Sequence, residues 1–221
     1  GGNYNVAVGD GAGQFLTTGD KSTFIGFDAG KGITGVKLTG SDNTAVGTNA
    51  GLLLQGTAAQ NTLIGSGAGD AINTASANVA LGYLTLSAET KGEQSVAVGW
   101  AALQNQNQSS SANAYNTAVG SQAGRYITTG KNNTLIGGLA GDALTGGGFS
   151  GTTRQAGADY NVAIGISSLT LDTKGNKSTA VGAETLVTQN FTSSTDSLNT
   201  AVGYAAGKLI ETGVHNTFVG A

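Results

Sequence analysis

An all-β parallel β-solenoid of about twelve stacked rungs is the fold this sequence predicts. Three observations carry that prediction. First, one five-residue motif, Asn/Ser–Thr/Val–x–Val/Ile/Leu–Gly, recurs twelve times. Second, its closing glycines (Gly9, Gly26, Gly47, Gly65, Gly82, Gly99, Gly120, Gly137, Gly165, Gly182, Gly203 and Gly220) stand 17, 21, 18, 17, 17, 21, 17, 28, 17, 21 and 17 residues apart. A constant unit with variable insertions marks an array whose loops grow outward from a fixed rung. Third, 38 glycines and no proline suit many turns between short strands, and the fixed phase argues against disorder.

Each motif reads as a strand, so its second and fourth residues share one face and its third the other. The fourth position is always Val, Ile or Leu. This predicts a core of Val8, Ile25, Val46, Ile64, Leu81, Val98, Val119, Ile136, Ile164, Val181, Val202 and Val219. The third position is Ala in eight copies and is otherwise Phe or Leu. A strand apolar on both faces is covered on both. The expectation is therefore that Phe24, Ala45, Leu63, Ala97, Ala118, Leu135 and Phe218 face a second subunit. Motif Asn side chains stacked in register are expected to bond along the axis as a ladder.

After the motif, seven rungs carry Ala-Gly and then an aliphatic seven residues past the motif Gly: Leu16, Ile33, Leu54, Ile72, Ile127, Leu144 and Ile210. Four rungs replace the Gly of that pair by Leu86, Leu103, Leu169 or Leu186, and these carry Glu89, Gln106, Asp172 or Gln189 at the seventh place. The swap predicts one core slot filled from either of two backbone positions, because a close-packed core takes one filler. Gly19, Gly92, Gly130, Gly175 and Gly213, ten residues past the motif Gly, are expected to supply positive φ in a turn.

Composition excludes several classes. The net charge of −3, with ten scattered Lys and Arg, gives no electrostatic case for nucleic acid. No Cys means no disulfide or thiolate metal site. No apolar run approaches the ~18 residues of a membrane span, so no membrane insertion is expected. The chain opens on a repeat and stops one residue after another, which reads as a slice of a longer fibre, residues 1–221 forming one array.

The segments Asn116-Thr117-Ala118-Val119-Gly120, Ala123-Gly124, Thr128-Thr129-Gly130 and Asn133-Thr134-Leu135-Ile136-Gly137 carry a family resemblance. They are similar to the head repeats of YadA-like trimeric autotransporter adhesins, whose motif is Ser-Val-Ala-Ile-Gly. Ser95-Val96-Ala97-Val98-Gly99 is the nearest match here. Related arrays occur in phage tail fibres and bacterial surface fibres. The resemblance covers nearly the whole chain. It implies a left-handed β-roll, a homotrimer, and attachment through a cell-surface receptor or glycan. It also implies an extracellular place on a bacterial surface or on a phage or injection-particle fibre. One departure is rung length, about 14 residues in those heads against 17 here.

No constellation points to catalysis, a metal or a cofactor, so the chain is read as a non-enzyme. Gly9-Asp10-Gly11-Ala12-Gly13 lacks the Gly-Lys-Ser/Thr ending and the helix of a phosphate loop. His215 is the only histidine and falls in a turn. The 13 carboxylates lie mostly in turns, and only a facing pair would support a polysaccharide depolymerase. Asp20, Asp42 and Asp142 are weak ion candidates. An ice-binding Thr ladder is the remaining alternative, disfavoured while the motif Thr is taken to share the buried face. Binding is expected on the insertions Lys31–Asp42, Gln104–Tyr115, Leu144–Tyr160 and Val187–Leu198, with Tyr115, Phe149, Arg154, Tyr160 and Phe191 as candidate anchors.

Overall fold

The computed structural model describes residues 2–108, 110–146, 149–150, 153–154 and 157–220, the pairs 149–150 and 153–154 by backbone alone. The described residues form strands and turns with no helix, and so hold no helix long and apolar enough to cross a membrane. The chain divides into two compact units, residues 1–113 and 114–221.

In the first unit the motif strands are β1 (Val6–Val8), β2 (Thr23–Ile25), β3 (Thr44–Val46), β4 (Thr62–Ile64), β5 (Val79–Leu81) and β7 (Val96–Val98). They pair in parallel, each with the next, motif position against motif position, as in Thr44↔Thr62, Ala45↔Leu63 and Val46↔Ile64. Two short strands, β6 (Gly92–Glu93) and β8 (Ala112–Asn113), pair in parallel beside them. The second unit repeats the plan with β9 (Thr117–Val119), β10 (Thr134–Ile136), β13 (Val162–Ile164), β15 (Thr179–Val181), β17 (Thr200–Val202) and β18 (Thr217–Val219). Its side pair is β14 (Gly175–Asn176) with β16 (Thr195–Asp196). An antiparallel hairpin, β11 (Phe149–Ser150) with β12 (Thr153–Arg154), sits in its longest insertion. The parallel solenoid is thus present in each unit.

The expected inside and outside are exchanged. The third motif position faces the core: Phe24, Ala45, Leu63, Ala97, Ala118 and Leu135 are fully buried within one chain, and Phe218 is half-buried at the last strand. The six fully buried side chains leave no surface for a second subunit to cover. The fourth position faces out: Val8, Ile25, Ile64, Leu81, Val119, Ile136, Val202 and Val219 are exposed, and Val46, Val98, Ile164 and Val181 half-buried. None of the twelve is core. The reason is room. The coil interior is narrow, and it is filled from the arc after the motif, leaving an Ala-sized space under most strands.

The single slot is present. Leu54, Ile72, Ile127 and Leu144 from the seventh position, and Leu86, Leu103, Leu169 and Leu186 from the fourth, are all fully buried. A Cβ built at Gly51 would stand 2.7 Å from Leu54 Cδ1, and one at Gly141 2.7 Å from Leu144 Cδ1. Both lie well inside the ~3.5–4.0 Å of optimal carbon contact. The slot also has a third claimant. Phe24, Leu63, Leu135 and Phe218 reach it from the third motif position. A Cβ at Gly13 or Gly30 would strike Phe24, one at Gly51 or Gly69 would strike Leu63, and one at Gly207 Phe218. Accordingly Leu follows the motif only where its own strand and the next both carry Ala at the third position, as with Ala80, Leu86 and Ala97.

Ile33 departs from the pattern. It is 38 % exposed, because the insertion begins at Lys31 and folds Ile33 back against Val36. Leu38, fully buried and bridged to Leu16, takes its place. Leu16 and Ile210, near the two ends, are half-buried.

Two kinds of glycine have different causes. The motif glycines adopt φ of +122 to +139°, and a Cβ on Gly9 or Gly203 would stand 2.5 or 2.3 Å from the next rung's Gly carbonyl oxygen. Only Gly fits there. Gly19, Gly92, Gly130, Gly175 and Gly213, expected to supply positive φ, do not adopt it. They are small because something approaches closely: the Gly40 carbonyl oxygen at Gly19, and the Glu89 and Asp172 carboxylates at Gly92 and Gly175.

The Asn ladder is present in each unit, side chain to side chain where Asn61 donates to Asn43, Asn133 to Asn116 and Asn216 to Asn199, and side chain to backbone besides. Asn61 Oδ1 accepts the Asn78 backbone N–H at 3.1 Å, while Asn61 Nδ2 donates to the Ala75 carbonyl at 2.9 Å. Asn43, Asn133 and Asn199 repeat both bonds. Each of these Asn residues closes its own turn and receives the next strand, so both atoms of its amide are satisfied.

Candidate functional site

The insertions were the expected place for binding, and in the second unit two of them end at one cleft. Asp159 and Tyr160 close the 28-residue interval, Asn176 and Lys177 lie on the next turn, and Asp196 comes from the following insertion. Together they line a cavity of about 280 Å³.

The rungs fix this geometry. The residue before each motif Asn or Ser adopts a left-handed conformation, here Tyr160 (φ 59°), Lys177 (φ 59°) and Leu198 (φ 53°). This turns the chain sharply into each strand. Strand pairing of β14 with β16 carries Asp196 beside Asn176. Asp159 and Asn176 are buried at the floor. Asp159 Oδ1 accepts the Lys131 N–H at 2.7 Å, and Asn176 Oδ1 accepts the Asp159 N–H at 2.9 Å. Asn176 Nδ2 donates to Ser194 Oγ at 3.0 Å. Lys177 pairs with Asp196 at the rim, where both side chains are about half exposed. Tyr160 is 58 % exposed.

The structure sorts the other expected anchors. Tyr115 is exposed. Phe191 is 6 % exposed and packed into the unit, its N–H held by Asp172 Oδ1 at 3.3 Å, so it is no surface anchor. The side chains of Phe149 and Arg154 lie outside the described residues. Phe27, Tyr83, Trp100 and Tyr204, each one residue past a motif Gly, are about half exposed. They stand two residues past the outward Val, Ile or Leu, in the turn that follows each strand.

Beneath the side strands of each unit lies a buried acid–amide network. In the first, Glu89 Oε1 accepts four N–H groups, from Thr90, Lys91, Gly92 and Gln108 at 2.6–3.1 Å. Gln106 Nε2 donates to Glu89 Oε2 at 3.0 Å and to Ser95 Oγ at 2.9 Å. In the second, Gln189 Nε2 donates to Asp172 Oδ2 at 2.6 Å and to Ser178 Oγ at 2.8 Å, while its oxygen accepts Asn199 Nδ2 at 2.7 Å. Burial pushes the Asp172 carboxyl above its usual range, opposed by hydrogen bonds from Gln189, Gly175 and Phe191. Each network ties a 17-residue rung, through Glu89 or Asp172, to the 21-residue rung that follows it, through Gln106 or Gln189. Burial also raises the Asp70 and Asp142 carboxyls.

Among the described residues no three or more His, Asp or Glu gather as a metal site. Reading along the chain missed Asp159, Asn176, Lys177 and Asp196. The signal was present as register: once the insertions are removed, these residues fall on the same turn of three successive rungs. Comparison with protein families, curated proteins and solved structures returned no match.

Proposed function

We propose that the chain is a segment of an extracellular attachment fibre in which copies of it associate through the outward strand face, as a homotrimer of left-handed β-rolls. One observation supports the reading above the rest: an outward ladder of Val, Ile and Leu, one per rung, in each unit. In the first unit Val8, Ile25, Ile64 and Leu81 are 58, 39, 36 and 44 % exposed. Contiguous exposed apolar surface of this kind marks an interface. Covering it completes the burial of each side chain, worth about 0.5–1 kcal/mol per rung. The occupant must repeat with the same rung spacing, and another copy of this chain does so. Three as the copy number, and placement on a bacterial surface or on a phage or injection-particle fibre, come from the resemblance. The receptor would then be met by the insertions, carried on a stiff stack.

Sedimentation tests this. The wild-type chain is expected to run as a trimer, and the Val46→Asp/Ile64→Asp variant as a folded monomer. A wild-type chain monomeric at micromolar concentration would falsify the reading. Ala45→Asp separates the two faces: it is expected to unfold the chain rather than dissociate it, because it buries an unpaired charge.

A second reading gains from the reversal of the faces. The motif Thr residues (Thr23, Thr44 and Thr62 in the first unit) share the outward face with the aliphatics and are half-buried rather than enclosed. A run of Thr on successive outward strands also suits an ice-binding surface. Inhibition of ice recrystallisation by a monomeric wild-type chain would favour it over the fibre.

A further inference from the structure

We propose that the cleft of the second unit is a saccharide subsite that takes a single pyranose ring of a surface glycan. The inference deepens the attachment reading and rests on it. Size is the first argument. About 280 Å³ lies just under the ~300–1,000 Å³ of pockets for drug-sized ligands and suits one sugar ring.

Chemistry is the second. A pyranose presents hydroxyls that both donate and accept, and an apolar C–H face. The cleft answers each: the Asp159 and Asp196 carboxylates accept, the Lys177 ammonium donates, and the Tyr160 ring offers an apolar face with a polar tip. The same composition disfavours other ligands. An anion would meet two carboxylates, and a divalent cation would meet Lys177.

Preorganisation is the third. Asp159 and Asn176 are 6 % and 4 % exposed and are held by backbone bonds before any ligand arrives, which lowers the cost of ordering on binding. The Lys177–Asp196 pair is half exposed, and such pairs contribute little, so a hydroxyl displaces one of its bonds at low cost.

The first unit provides an internal contrast. Counting from the motif glycines, Ser76, Ala77, Glu93, Gln94 and Asn113 stand where the second unit has Asp159, Tyr160, Asn176, Lys177 and Asp196. The backbone frame repeats, but the aromatic face, the buried carboxylate and the cation do not.

Saturation-transfer NMR on the full chain tests the proposal, with glucose, galactose, mannose and N-acetylglucosamine each at millimolar concentration. At least one is expected to receive saturation on its ring protons. That signal should fall severalfold in both Tyr160→Asn, which suits the left-handed backbone there, and Asp196→Asn. Sedimentation should match wild type in both variants. No transfer to any of the four sugars, or transfer unchanged in both variants, overturns the subsite. Neither result touches the fibre reading, which stands or falls on the oligomeric state of the wild-type chain.

Discussion

Two adjacent rungs of the first unit, Asn61–Ala77 and Asn78–Gln94, are both 17 residues long and fill the same slot differently. The first does so with Leu63 from the strand and Ile72 from the arc, and keeps Gly69 bare. The second has Ala80 in the strand, Leu86 where Gly69 stood, and Glu89 where Ile72 stood. All four large side chains are fully buried. The difference teaches that the choice at one position governs the polarity of another. Once Leu86 occupies the slot, the seventh position no longer needs to be apolar, and the buried network around Glu89 becomes possible.

The strongest way to break this contrast is to give the first rung two fillers. Gly69→Leu places a Cβ 2.8 Å from both Ile72 Cδ1 and Leu63 Cδ2. Overpacking and the left-handed conformation together are expected to cost about 3–5 kcal/mol, read from urea unfolding. Adding Leu63→Ala and Ile72→Ala converts the rung to the other type and should recover more than half of that loss. Simple addition of the three effects would refute a shared slot. Next in size is the network. Gln189→Leu leaves Asp172 Oδ2, Ser178 Oγ and Asn199 Nδ2 each short of a buried partner. The expected cost is about 2–3 kcal/mol, whereas the exposed Gln14→Leu should change stability by less than about 0.5 kcal/mol.

The smallest effect is that of pH. The folded-state pKa of Asp172 lies above the usual 3.8, so the folded chain holds a proton that the unfolded chain has released. Its contribution therefore favours the fold at acid pH and is lost as pH rises through the folded value. Asp70 and Asp142 act in the same direction. The urea midpoint is expected to be higher near about pH 4 than about pH 7, with a shallower slope in Asp172→Asn. A midpoint rising over that range would show that the hydrogen bonds to Asp172 outweigh its burial and hold it as a carboxylate.

Much of the fold was legible in the sequence because a solenoid repeats its evidence. The strands, the rung length, the Asn ladder and the shared slot all follow from phase alone. The inside of the strand was misread by judging from size, since Val46 is larger than Ala45. Covariation held the better signal: Phe24, Leu63 and Leu135 appear only beside bare glycines in their own and the preceding rung, as core neighbours must. The cleft was not legible residue by residue. Its five side chains are ordinary turn residues until the insertions are subtracted and three rungs are laid in register.

The two bonds made by each motif Asn bear on how such a chain changes over generations. Asn61 seals its own turn through Nδ2 and offers Oδ1 to whatever strand comes next. A copied rung therefore arrives with its own closure and with a socket for its successor. Losing or gaining a whole rung leaves every socket filled, whereas losing part of one leaves an Asn with nothing to hold. Lineages of this protein should differ by complete rungs and by loop length, with few intermediate forms, and variety should accumulate in the insertions while the stack stays fixed.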